Sequence, residues 1–147
     1  MTNHKTLNPV RISTLRPEQA RTILLEIPAE REQVLLVRSL TGHIAARTDL
    51  TLVDLGDLRL AVDEACGLFL LDARFDATDR ALRCRFEERP GLLRIQISAP
   101  VPPGMRPDLH DIGWIMLGAV MDEASWYTAD GIGTITLVKR LTAVDAR

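Results

Sequence analysis

The sequence predicts an α+β fold, a two-layer sandwich in which a mainly antiparallel sheet carries helices packed on one face. Three observations lead there. Apolar residues recur at helical spacing in two successive segments, the period then switches to two on either side of a proline-glycine turn, and a further apolar segment and a strand close the chain. A chain of 147 residues has the usual size of a single domain with one core.

In chain order, residues 1–20 show no hydrophobic periodicity and are expected to form a flexible N-terminal segment, with the domain spanning 21–147. Thr22 to Ile27, closed by Pro28, suits the end of a strand. Between Glu30 and Arg47, Val34, Val37, Leu40 and Ile44 make one stripe of a first helix. Leu55, Leu58, Val62, Ala65 and Phe69 make the stripe of a second helix that runs on to Ala73; its interior Gly67 costs roughly 1 kcal/mol relative to alanine. Leu82, Cys84 and Phe86 then alternate with Arg83 and Arg85, and Leu93, Ile95 and Ile97 with Arg94 and Gln96. Pro90 and Gly91 join the two as a hairpin with one wet face. The proline-rich stretch SAPVPPGMRP predicts a loop, because proline removes ladder donors. Asp111 to Ala124 reads as a third helix, and WYTADGIGTITLVKRL as a turn followed by a strand in which Ile135 and Leu137 share a face. The glycines of Gly131-Ile132-Gly133 read as a tight strand connection rather than a phosphate loop, since no helix follows them.

Composition narrows the function classes. Hydrophobic residues make up 46% and charged residues 26%, net charge is −2, and no apolar run approaches the roughly 20 residues of a membrane span. The polar N-terminal stretch lacks the apolar core of a secretory signal, so a cytoplasmic location is expected. Cys66 and Cys84 lack metal-ligand spacing and read as buried free thiols. His4, His43 and His110 are dispersed and suggest no metal. The near-neutral charge gives no footprint for nucleic acid, which favours a protein or small-molecule partner. Trp114 and Trp126 read as core residues, with Trp114 placed to help fill any cleft beside the third helix.

Two stretches carry a resemblance. LRLAVDEAC in the second helix and the closing GIGTITLVKRL, set in this order of elements, resemble the anti-sigma factor serine kinases of bacterial stress response and sporulation, which have the histidine-kinase-like ATPase fold. The resemblance runs from about Leu25 to Leu141. In that family the second helix carries E-A-x-x-N, a glutamate that helps activate the substrate serine and an asparagine that ligates the magnesium on ATP. Glu64 and Ala65 match, but Leu68 stands at the asparagine position, on the same helix face as Glu64. Leucine offers no oxygen to a hard cation. Where the family often places a histidine, the chain has Asp72. The adenine-binding aspartate of the second family motif corresponds to Ala99, which leaves the adenine amino group without an acceptor. In the third motif, a glycine pair at a helix start that cradles phosphates, Gly113 remains but Asp111 replaces the first glycine and adds negative charge.

The resemblance therefore implies a degenerate kinase. Glu64 is a vestigial base, Leu68, Ala99, Asp111 and Gly113 mark the degenerate nucleotide positions, and no ATP, magnesium or other cofactor is expected. What the resemblance implies to survive is anti-sigma activity: binding a sigma factor, release by an anti-anti-sigma factor in a partner switch, and a homodimer. It places the family's partner-contacting arginine at Arg38, on the flank of the first helix stripe and pointing out of the core. Two alternatives remain open. One is an active serine kinase in which Asp63, Asp72 or Asp111 supplies oxygen ligands to magnesium; the other is a noncatalytic scaffold for a different protein.

Overall fold

The computed structural model describes residues 10–15, 21–48, 50–70 and 80–141, with side chains at all of these except 13–15. Its elements are β1 (Arg11–Leu15), β2 (Arg21–Pro28), α1 (Val34–Ala46), α2 (Leu52–Leu70), β3 (Ala81–Arg89), β4 (Leu92–Pro100), α3 (Ile112–Val120), β5 (Glu123–Ala129) and β6 (Ile132–Arg140). The six strands form one sheet in the order β1-β2-β3-β4-β6-β5, and every neighbouring pair is antiparallel. The α+β expectation holds. The alternating inward residues Ile23, Leu25 and Ile27, Leu82, Cys84 and Phe86, and Leu93, Ile95 and Ile97 form one core with the buried stripes of the helices.

The helix stripes pack as their spacing dictates. Val37 and Ile44 of α1 and Leu58, Ala61, Val62, Ala65 and Phe69 of α2 are all buried. Thr41, buried in α1, satisfies its hydroxyl by donating to the Val37 carbonyl one turn back, at 2.7 Å. The α1–α2 contact uses Gly42, where an added Cβ would stand 2.7 Å from Arg59 Nη2, so the guanidinium lies across the bare backbone. Cys66 of α2 and Cys84 of β3 are buried free thiols. A hydrogen bond with Cys84 and burial push the Cys66 thiol well above its usual range, which keeps it protonated and unreactive. On the opposite face of the sheet, the buried Glu87 lies under the guanidiniums of Arg85, Arg89 and Arg94.

Four expectations are corrected. The supposed flexible segment 1–20 carries β1, an edge strand held by backbone pairing with β2 from Arg11↔Glu26 to Leu15↔Thr22. Its Ile12 stays 64% exposed, so no buried period announced it. The first helix is shorter than Glu30–Arg47, since Arg31–Gln33 forms a 3-10 turn before α1. The proline-rich segment does not leave the sheet at once, because β4 runs through Ser98, Ala99 and Pro100; the proline sits at the strand's end, beyond the β3 ladder, which stops at Ser98. The third helix ends at Val120, and residues 123–129 are β5 rather than helix and turn. The turn is Asp130-Gly131, with φ of 53° and 76° at the two positions, a two-residue hairpin whose left-handed backbone suits Asp-Gly. Ala73, the expected end of the second helix, lies outside the described residues.

Two cations fasten the helices to the sheet. Arg80 donates to the Phe69 carbonyl at the end of α2 (2.9 Å) and to the Pro100 carbonyl at the end of β4 (3.2 Å). Lys139 of β6 donates to the Val120 carbonyl at the end of α3 (3.0 Å) and pairs with Asp54 in the first turn of α2 (3.6 Å). Its side chain is only 11% exposed, so the ammonium caps a helix C-terminus inside the protein. Lys139→Met is expected to lower unfolding stability by about 1–3 kcal/mol, whereas Arg140→Met, at an exposed position, changes it little. Urea denaturation of the two variants checks this, and equal midpoints would refute it.

Candidate functional site

The last two turns of α2 place Glu64 and Leu68 on one face, as their i, i+4 spacing requires. Glu64 leans onto the start of α3. A Cβ added at Gly113 would stand 2.7 Å from Glu64 Oε2 and 3.4 Å from Asp111 Oδ2, so two carboxylates crowd the first turn of α3. Asp111 is the residue before the helix, with extended backbone and no side-chain cap bond of its own. Backbone N–H groups and the positive end of a helix attract an anion, and here the protein's own carboxylates already stand beside them.

Leu68 and Asp111 line a cavity of about 300 Å³ together with Met105, Pro107 and Trp126. Trp126 comes from β5, and its indole lies across β6 at Gly133, the diagonal neighbour of its partner Ile135. A Cβ at Gly133 would collide with the indole and would come within 2.9 Å of the Val101 methyl. The ring also packs on Phe69 of α2, with centroids 5.7 Å apart and planes tilted by 34°. Ala99 of β4 faces Gly133 across the β4–β6 ladder and is 2% exposed. The four positions Leu68, Ala99, Asp111 and Gly113 thus lie around one region between the end of α2, the start of α3 and the sheet, and Trp126 forms one of its walls. Trp114 and Trp126 are both partly buried against the core, and it is Trp126, on strand β5, that lines this cavity.

Arg38 lies on the other flank of Glu64. Its Nε donates to Asp63 Oδ1 at 3.1 Å and its Nη2 meets Asp63 Oδ2 at 2.9 Å, a bidentate pair between α1 and α2. The Arg38 side chain is 47% exposed, as its place on the flank of the stripe predicts. Both Arg38 and Glu64 line a second cavity of about 310 Å³ with Arg31, Val34, Leu35 and Leu70. The adjacent acids of α2 both border this cavity, Asp63 holding Arg38 and Glu64 reaching Gly113 at the start of α3. Asp63, weighed in the sequence only as a magnesium ligand, and Trp126, read only as a core residue, take roles that the sequence did not show. The Asp130-Gly131 turn was a sufficient signal for β5, and hence for Trp126, but nothing local marks Asp63 as the partner of Arg38.

Chemically, Leu68 presents no oxygen donor, and among the described residues no cluster of three or more His, Cys, Asp or Glu has the arrangement of a metal site. Asp72 and His4 lie outside the described residues, and His43 and His110 are exposed. Among the described residues no helix is long and apolar enough to cross a membrane.

Comparison with known proteins gives three results. The model of the histidine kinase-like ATPase domain matches residues 27–139. The anti-sigma-F factor RsbW of Mycobacterium tuberculosis, in strains CDC 1551 / Oshkosh and H37Rv, is 30% identical over 141 residues, covering 87% of this chain and 79% of the relative. The crystal structure of the RsbU and RsbW domains of Rv1364c from Mycobacterium tuberculosis aligns with a TM-score of 0.63 at 19% identity, over 80% of this chain and 32% of that one, a likeness of fold.

The contact of Trp126 with Gly133 yields a direct test. Gly133→Val forces a branched side chain into the Trp126 indole and should cost about 1–3 kcal/mol by overpacking, with a red shift of tryptophan emission. Trp126→Ala in the same chain should recover part of the loss, because the two sites touch. Additive destabilisation in the double variant would show that the ring does not rest on Gly133.

Proposed function

The chain belongs to the histidine kinase-like ATPase domain family, and from that premise we propose that it is an anti-sigma factor that binds an RNA polymerase sigma factor of the stress or sporulation type and occludes it without phosphoryl transfer. The relative at 30% identity, named an anti-sigma-F factor, supports the kind of target. The observation that carries the noncatalytic part is the Trp126 indole seated on Gly133, beside the alanine that stands at the family's adenine-binding position.

The residues present do not fit a magnesium nucleotide. Leu68 replaces the oxygen ligand. Glu64 and Asp111 put two negative charges where phosphates would meet the start of α3. Asp63, a candidate substitute ligand, is engaged by Arg38. Phosphoryl transfer depends almost wholly on positioned metal and phosphates, so Glu64 by itself transfers nothing. Binding a protein needs none of these parts. It needs a rigid surface with exposed anchors, and the α1 flank offers Arg38 with Leu35 beside it.

In this reading the protein is a cytoplasmic homodimer, and an anti-anti-sigma factor frees the sigma factor by binding the same protein in its place, so the balance is set by concentrations and affinities. Inactivation of that competitor then falls to another kinase or to control of its abundance.

The test is co-purification. Tagged protein is co-expressed in turn with each stress- or sporulation-type sigma factor of its source organism and recovered in buffer with a chelator and no nucleotide. One sigma factor should be retained in stoichiometric amount, equally with or without magnesium ATP, and Arg38→Ala should weaken its capture about thirtyfold, as loss of a central arginine anchor does. Retention of no sigma factor, or retention only with magnesium ATP, would overturn the reading.

A further inference from the structure

The sheet face opposite the helices carries an excess of positive charge. Because Ile23, Leu25 and Ile27 of β2, and the matching alternate residues of β3 and β4, point into the core, the residues between them line the other side. There Arg83, Arg85 and Arg89 stand along β3, Arg94 of β4 lies directly across from Glu87, and Arg11 of β1 lies across from Glu26. Five arginines share this part of the face with two acids, Glu26 and Glu87. Arg140 of β6, at the far end, is balanced by Asp122, whose carboxylate accepts its backbone N–H, and by Glu123.

Two observations on this face point to an anion. Glu87, only 5% exposed, is met by three guanidiniums at once: Arg85 Nη2 at 3.5 Å, Arg94 Nη1 at 3.8 Å, and Arg89 Nε. One carboxylate neutralises one of them. The three side chains stay 38% to 52% exposed, so an excess of positive charge with N–H donors to spare remains at the surface. Beside them opens a cavity of about 410 Å³, in which Arg11, Arg83 and Arg85 stand over the polar side chains of Gln96, Ser98 and Thr134. Its one acid among the described residues is Glu26, paired with Arg83 at 3.1 Å. Arg85 belongs to both features, so cluster and cavity make one continuous basic surface.

Charge selects the occupant. A second copy set face to face would oppose arginines to arginines, and like charges directly opposite are destabilising. A nucleic acid needs a basic molecule and stacking aromatics, whereas this chain has net charge −2 and presents one aromatic at the cavity, Tyr127. We propose that this face receives an acidic segment of a partner protein, one carboxylate entering the cavity between Arg83 and Arg85 and a second resting on Arg94. Arginine suits the task, because the nitrogens that do not face Glu26 or Glu87 still donate in a planar fork. The surface lies across the sheet from α1 and Arg38, so the proposal does not depend on the anti-sigma reading.

Titration calorimetry at low ionic strength with a hexaglutamate peptide tests the proposal. The peptide should bind saturably and lose affinity as salt is raised, because exposed charges are screened, while a hexaglutamine peptide gives no heat. Arg83→Gln and Arg94→Gln should each weaken binding about two- to fivefold, and the double variant about tenfold, since the two side chains act separately. Arg94→Gln leaves Glu87 two arginines, and Arg83→Lys and Arg94→Lys, which keep the charge, should recover part of the affinity. Arg59→Gln, on the helix side, should bind as the parent does. No binding of hexaglutamate, or equal binding by the parent and the double variant, would overturn the proposal. Tighter binding of a deoxythymidine hexanucleotide through the same arginines would overturn it in favour of nucleic acid. A dimer in sedimentation that the double variant dissociates would give the face to a second copy instead.

Discussion

The bare α-carbon of Gly133 is the constraint around which the helix-side half of the molecule is arranged. Without a side chain there, the indole of Trp126 lies against β6 and reaches Phe69, so the end of α2 rests on an aromatic surface that also forms one wall of the neighbouring cavity. Arg80 clasps the same end of α2 to the end of β4 through two backbone carbonyls. Packing and hydrogen bonding thus fix one position for the helix that carries Asp63, Glu64 and Leu68. Interiors are dense enough that an indole and a ligand cannot share one space.

The electrostatics of α3 agree with that packing. Glu64 of α2 and Asp111, the residue before the helix, stand beside its first turn, and its last carbonyl receives Lys139, so charges of the protein itself complement both ends of the helix dipole. Lys139 also reaches Asp54, which ties the start of α2 to the end of α3. A phosphate at the first turn would have to displace two carboxylates already seated there. The charge pattern that stabilises this helix is also one that repels phosphate, so the helix end can be complemented without any bound anion.

Much of the sheet and of the helix faces was legible in the sequence. The alternation Leu82, Cys84, Phe86 and Leu93, Ile95, Ile97 depends only on the two-residue period of a strand with one buried side, and the stripe from Leu58 to Phe69 depends only on the helical period. The end of α3 was less legible, because the apolar run from Ile112 to Met121 buries little and has no period that stops at Val120. The hairpin signal at Asp130-Gly131 outweighed that run in the fold. Edge strand β1 had no buried face to reveal it. The pairing of Arg38 with Asp63 joins residues 25 apart in sequence and depends on how α1 and α2 are set against each other, which no local pattern encodes. Leu68, Ala99 and Asp111 stand out in the sequence one at a time; the indole that lines the space among them does not, because the stretch that forms β5 reads locally as a turn.

The central claim is that the residues around the cavity between α2, α3 and the sheet, Leu68, Asp111, Glu64 and Trp126, are unfit to hold a magnesium nucleotide. Isothermal titration of the purified protein with magnesium ATP tests it most directly, repeated with ADP and followed in parallel by the fluorescence of Trp126 against a Trp126→Phe control. The account predicts no heat and no change in emission up to millimolar nucleotide. Saturable, magnesium-dependent binding in the micromolar range, with the Trp126 signal moving as the site fills, would contradict it.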